Sequence, residues 1–132
     1  MSMWGPVVGF AASQVMGMVW YSPLMFGNRW MRLVHPGKNR DELKASGGPA
    51  MAVTLVAHAA LAGVLNHVYI EHMGVANMPM AIQAGMIMSG ISAISEICHV
   101  MFGQKSWTVF AIDHGFNTAV ILAISAGIGY FL

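Results

Sequence analysis

Glu96 and His99 stand three residues apart in an otherwise apolar stretch, which puts a carboxylate and an imidazole on one face of a helix. Asp113 and His114 lie in the next apolar stretch and His58 in an earlier one. Ionisable groups set among apolar residues are costly and therefore point toward function. Three chemistries suit this group. Glu-x-x-His is a metal-ligand spacing in carboxylate-bridged di-iron bundles, which need two such pairs and two further carboxylates. This chain has one pair, so a metal held by Glu96, His99, His58 and His114 would need a second copy, with Asp113 as an extra carboxylate. A relay of protons or cations through Glu96, His99, His58 and Asp113 is the second use. The third is an interhelical polar clamp, with Glu96 bonding Ser92, His99 or His114, and Asp113 reaching headgroup water or Lys105. The clamp is favoured, and no metal is assigned.

A second polar group, His67, Glu71 and His72, falls at the far end of the second apolar stretch. Two histidines and a glutamate suit zinc, but their place at a span end favours plain solvation. The chain has no Gly-rich phosphate loop, G-x-S-x-G elbow or H-E-x-x-H. Its 13 methionines are spread along the apolar stretches and read as adaptable packing. Met16, Met18, Met86 and Met88 are the ones to check for copper.

The elements that must position these groups are set by composition. The chain has 132 residues, 57% hydrophobic and 8% charged, with a mean hydropathy of +0.64. A soluble domain carries about 25% charged residues, so lipid must be the outer solvent. A net charge of +1 excludes a basic surface for nucleic acid. One cysteine, Cys98, excludes an internal disulfide and a CxxC motif. Apolar stretches at about 4–27, 49–70, 78–102 and 108–131 are each long enough to cross a bilayer as a helix. The first lacks a basic leader and a small-residue cleavage site, so it reads as an uncleaved span.

All six basic residues fall on one side of this pattern: Arg29, Arg32, Lys38, Arg40 and Lys44 in the segment 28–48, and Lys105 in the turn 103–106. The positive-inside bias places both connections on the cytoplasmic or equivalent side and both termini on the other. Trp20, Tyr21, Trp30 and Trp107 would anchor the inner interface, and Trp4, Tyr69 and Tyr130 the outer one. Residues 26–33 suit a short helix along the inner surface, and 36–48 a flexible loop or docking segment.

Small residues recur every fourth position. Gly5, Gly9, Ser13 and Gly17 match Ala81, Gly85, Ser89 and Ala93 at an offset of 76, and Met25-Phe26-Gly27 matches Met101-Phe102-Gly103. The fourth stretch has Gly115, Ala119, Ala123 and Gly127, and the second has Ala59 and Gly63. Such columns let helices approach closely in lipid. The alternatives are a ligand path along the columns, and coincidence for the repeat. A duplication would give two helix hairpins related by a pseudo-twofold along the membrane normal.

The run Gly17-Met18-Val19-Trp20-Tyr21-Ser22-Pro23-Leu24-Met25-Phe26-Gly27-Asn28-Arg29-Trp30 closes the first span. Pro23 ends or kinks a helix and disfavours helix at Ser22, and Gly27 lets the chain turn. The motif reads as an anchored helix end formed by Trp20, Tyr21, Pro23, Phe26, Gly27 and Trp30. The other reading is an aromatic-walled pocket for a quinone, lipid or pigment. The run resembles the G-x-x-W-Y-S-P-x-x-F-G-x-x-W signature of DUF1761, a family of small bacterial and eukaryotic membrane proteins of unknown function. The resemblance extends over nearly the whole chain and includes Phe110-Ala111-Ile112-Asp113-His114-Gly115-Phe116-Asn117 at the start of the last span. The family often has Tyr-His where this chain has Phe116-Asn117, so a role for that histidine does not transfer. The resemblance implies a short polar segment and four spans, and no assigned activity.

The expectation is an all-α integral membrane four-helix bundle forming a single domain, built as two parallel-related hairpins if the repeat is real. Gly9, Ser13, Gly17, Gly85, Ser89 and Gly115 would mediate helix packing. The expected role is a structural or accessory subunit, or a homo-oligomer, in contact with membrane lipid; enzymatic activity is left open but disfavoured, with a metal- or quinone-dependent membrane enzyme the least favoured reading. The alternative is a proton, cation or small-solute transport module. No cofactor is expected, bound lipid is allowed, and nucleic acid is excluded as a partner.

Overall fold

The computed structural model describes residues 3–132, all helix and turn, with no strand among them. The helices are α1 (Trp4–Trp20), α2 (Gly27–Val34), α3 (Arg40–Ser46), α4 (Gly48–His67), α5 (Met78–Phe102) and α6 (Trp107–Tyr130). A π turn, Val68–His72, extends α4.

Six α-helices stand where a four-helix bundle was expected, and the reasons are local. Pro23 cannot donate a backbone bond, and α1 stops at Trp20, well short of 27. The chain then turns through residues 21–26, with Phe26 N–H donating to Trp20 O at 3.1 Å and Gly27 N–H to Ser22 O at 3.0 Å. The amphipathic run Gly27–Val34 becomes α2 and buries Met31. The expected loop 36–48 holds α3, opened by the Asn39 side chain, which accepts Glu42 N–H at 2.8 Å. Three helical segments, Gly48–His72, Met78–Phe102 and Trp107–Tyr130, are long and apolar enough to cross a membrane. Asn77 caps α5 through Met80 N–H, and Ser106 caps α6 through Thr108 and Val109 N–H.

α6 is the central helix. Gly5 faces Ile128, Gly9 faces Ile124 and Gly17 faces Phe116, so α1 runs antiparallel along it. On another side Gly85 meets Ser125 and Ser92 meets Asn117, so α5 is antiparallel too. α4 runs parallel to α6, with Tyr69 bonding Ser125 at 2.8 Å and His58 beside Phe116. The approach of α1 is close. A Cβ on Gly9 would lie 2.6 Å from Ile124 Cα, and one on Gly127 would lie 2.6 Å from Gly5 O. Ser13 and Ser89 are buried on the same columns. The α1 and α5 columns thus both dock on α6, whereas Gly63 of α4 has open space at its Cβ position.

The main core, Ala62, Leu65, Tyr69, Val75, Ala81, Ala84, Val120, Ile121, Ile124 and Ile128, fills the end of the molecule away from the basic segments. Tyr69 corrects an expectation. It is fully buried and bonded to Ser125, and so it is not an interface anchor.

Candidate functional site

The signature run and the start of α6 meet in one place. The Tyr21 hydroxyl donates to Asp113 Oδ1 at 2.6 Å, and Trp30 Nε1–H donates to the same oxygen at 2.9 Å. Trp20 Nε1–H donates to Ile112 O at 3.0 Å. Three aromatic donors, Trp20 at the end of α1, Tyr21 in the turn after it and Trp30 on α2, therefore close on two consecutive residues of α6. The Pro23 break makes this reach feasible, because the turn at 21–26 brings Trp30, on α2, back beside Tyr21 at a ring separation of 5.4 Å.

Arg40 closes the bend from α3. Its Nη2 donates to Tyr21 O at 2.7 Å, while its Nε is buried without a partner. Gly27 is the point of closest approach: a Cβ there would collide with the Tyr21 carbonyl and the Arg40 guanidinium. The rings fill the remaining space. Trp20 lies 4.9 Å from Phe26 and 6.5 Å from Phe116, and Tyr21 lies 5.1 Å edge-on from Phe116. Gly115 admits the Trp20 indole, whose Cζ2 would sit 2.9 Å from an added Cβ. Pro23 itself is exposed on the turn.

The expected polar cluster is divided in this arrangement. Asp113 is engaged by Tyr21 and Trp30, not by Lys105. His58 Nδ1 is 3.0 Å from Gln14 Nε2, which also donates to Ser13 Oγ at 3.1 Å. Glu96 is half-buried and His99 exposed on α5, and the hydroxyl of Ser92 is taken by Asn117 Nδ2 at 2.9 Å. His114 stacks on Phe110 at 4.5 Å and leaves Nδ1 buried without a partner. Among the described residues no group of three or more His, Cys, Asp or Glu side chains is placed to hold a metal ion. Met16, Met18 and Met86 are exposed, whereas Met88 packs on the core.

Gln14, Arg40, Asn117 and Ser125 are the participants that sequence reasoning missed. A glutamine in the middle of an apolar helix was a usable signal, because an apolar surrounding demands a partner for it. Arg40 had no such signal, since a basic residue in a polar segment is ordinary.

The profile of the family described as "Protein of unknown function (DUF1761)" matches residues 4–129. The chain belongs to the DUF1761 family. No curated protein and no solved structure matches it. Within this DUF1761 chain the signature's two tryptophans and its tyrosine are the donors to Ile112 and Asp113, and its second glycine is the contact point for Arg40.

Proposed function

We propose that this DUF1761 protein is a four-span integral membrane protein that works through lateral association, as a homo-oligomer or as an accessory subunit of a larger membrane complex. Lipid would fill the remaining surface. α1 serves as the fourth span. Its 17 residues rise about 25 Å, within the lower range for a crossing helix. The basic segment and the turn at Lys105 would face the cytoplasm or its equivalent, and both termini the other side.

The observation that carries this reading is the unequal use of the apolar helices. Only 11% of the most apolar window of α4 and 17% of that of α5 is buried within the chain, against 28% for α6. Gly63 and Gly90 lie on these helices with nothing within 4 Å of an added Cβ. Such notches suit the backbone of another helix better than lipid chains, because close packing supplies the association energy in a bilayer.

Cross-linking in native membranes, followed by native mass spectrometry in mild detergent, tests it. A species larger than the monomer is expected, reduced by Gly63→Leu or Gly90→Leu. A monomer at every lipid-to-protein ratio, with no copurifying subunit, overturns it.

One observation favours a second reading, transport of protons or cations. The unpartnered Nδ1 of His114 lies buried one residue from Asp113. Proteoliposome flux that falls in both His114→Ala and Glu96→Gln variants of unchanged helicity would support it, and unchanged flux would exclude it.

A further inference from the structure

His67 and His72 are five residues apart, a spacing that in an α-helix points two side chains about 140° apart. Here the helix does not continue as α. The segment Val68–His72 is a π turn, in which Met73 N–H donates to Val68 O at 3.0 Å. The wider turn brings a residue and its fifth successor onto the same face. The two imidazoles accordingly meet with ring centres 5.3 Å apart and planes at 76°.

That separation has a chemical meaning. Two imidazoles on a tetrahedral zinc, each with its nitrogen about 2.0–2.1 Å from the metal, place their ring centres about 5 Å apart. Both histidines are exposed, as is Glu71 between them, so ions in water can reach them. The backbone beneath is held in place. Tyr69, within the same π turn, is fully buried, donates or accepts a 2.8 Å bond with Ser125 of α6, and takes Val75 N–H on its carbonyl at 2.9 Å. The pair therefore stands on an anchored turn.

We propose that His67 and His72 form a two-histidine chelate for a borderline divalent transition metal of the Zn2+, Cu2+ or Ni2+ class. Imidazole suits all three ions, and affinity rises toward Cu2+. Water occupies the other coordination positions. Two protein ligands make an exchangeable site and not a closed structural one, since structural zinc sites use four. The site lies at the end of the molecule opposite the basic segments, and it is independent of lateral association and of the Asp113 contacts.

The test is calorimetric titration of the purified, chelator-stripped full chain in detergent with Zn2+ alone. One ion per chain is expected. His67→Asn and His72→Asn should each weaken binding about tenfold or more, while His99→Ala and His58→Ala leave it unchanged. Circular dichroism confirms equal helicity, which the exposed position of both histidines favours. The proposal is overturned if the wild-type chain binds no Zn2+, or if the double variant His67→Asn, His72→Asn binds it as the wild type does.

Discussion

Tyr21 and Asp113 are 92 positions apart in the chain and share a 2.6 Å hydrogen bond. With Trp30 on the same oxygen, that bond ties the first helix, the bend after it and α2 to the first turns of the last helix. The contact gives the signature aromatics a use beyond anchoring a helix at headgroups. They are donors, and their acceptor lies on the central element of the fold.

The first prediction concerns this bond. Tyr21→Phe removes one donor to a carboxyl group and should destabilise the protein by about 1.5–3 kcal/mol. Asp113→Ala should cost at least as much, because it strands two donors, the Tyr21 hydroxyl and the Trp30 indole N–H. Denaturant titration in micelles measures both. In a double-mutant cycle the combined variant should lose less than the sum of the singles; strict additivity would show that the two side chains do not interact.

A second prediction separates filled from open glycines. Gly9→Ala places a methyl group 2.6 Å from Ile124 Cα, and backbone cannot move aside as a side chain tip can. A cost of about 1–3 kcal/mol is expected from overpacking. Gly63→Ala meets open space and should be neutral or slightly stabilising to the monomer, since alanine is the better helix former by about 1 kcal/mol. Equal losses at the two positions would contradict the docking of α1 on α6.

The pair of Gln14 and His58 joins α1 to α4. Hydrogen bonds between membrane helices average only about 0.6 kcal/mol, so Gln14→Leu should weaken the protein modestly, by less than Tyr21→Phe. A larger loss would mean that the Gln14–His58 bond carries more of the α1–α4 contact than membrane hydrogen bonds usually do.

Orientation is testable with cysteine labelling in a Cys98→Ser background. A cysteine at Ser46 should react with an impermeant reagent from the side of the basic segments, and one at Gly74 only from the opposite side. Labelling of both from one side would refute the alternating passage of α4 through the membrane.

Much of the helical layout was legible in the residues. α5 coincides with the expected stretch 78–102, and α4 and α6 begin and end within a few positions of theirs. Gly5, Gly9 and Ser13 of α1 and Ala81, Gly85 and Ser89 of α5, members of the small-residue columns, are buried, as close backbone approach between helices requires small side chains. The polar cluster was less legible. Glu96, His99, Asp113, His114 and His58 are neighbours by hydropathy depth, yet depth leaves the rotation of each helix open. Asp113 turns toward Tyr21 and Trp30, while His58 turns toward Gln14.

By itself the sequence determined the long apolar helices and the sites of the breaks. A chain with 57% hydrophobic and 8% charged residues yields three helices long and apolar enough to cross a membrane, and Pro23, Asn39, Asn77 and Ser106 end or begin helices through backbone bonding that depends on immediate neighbours alone. Only the tertiary structure decided that α6 is central, that Tyr69 is core, and that His67 and His72 share a face. Those outcomes depend on which helix faces interlock and on one π turn that resets the helical phase, and both are settled by packing between residues distant in the chain.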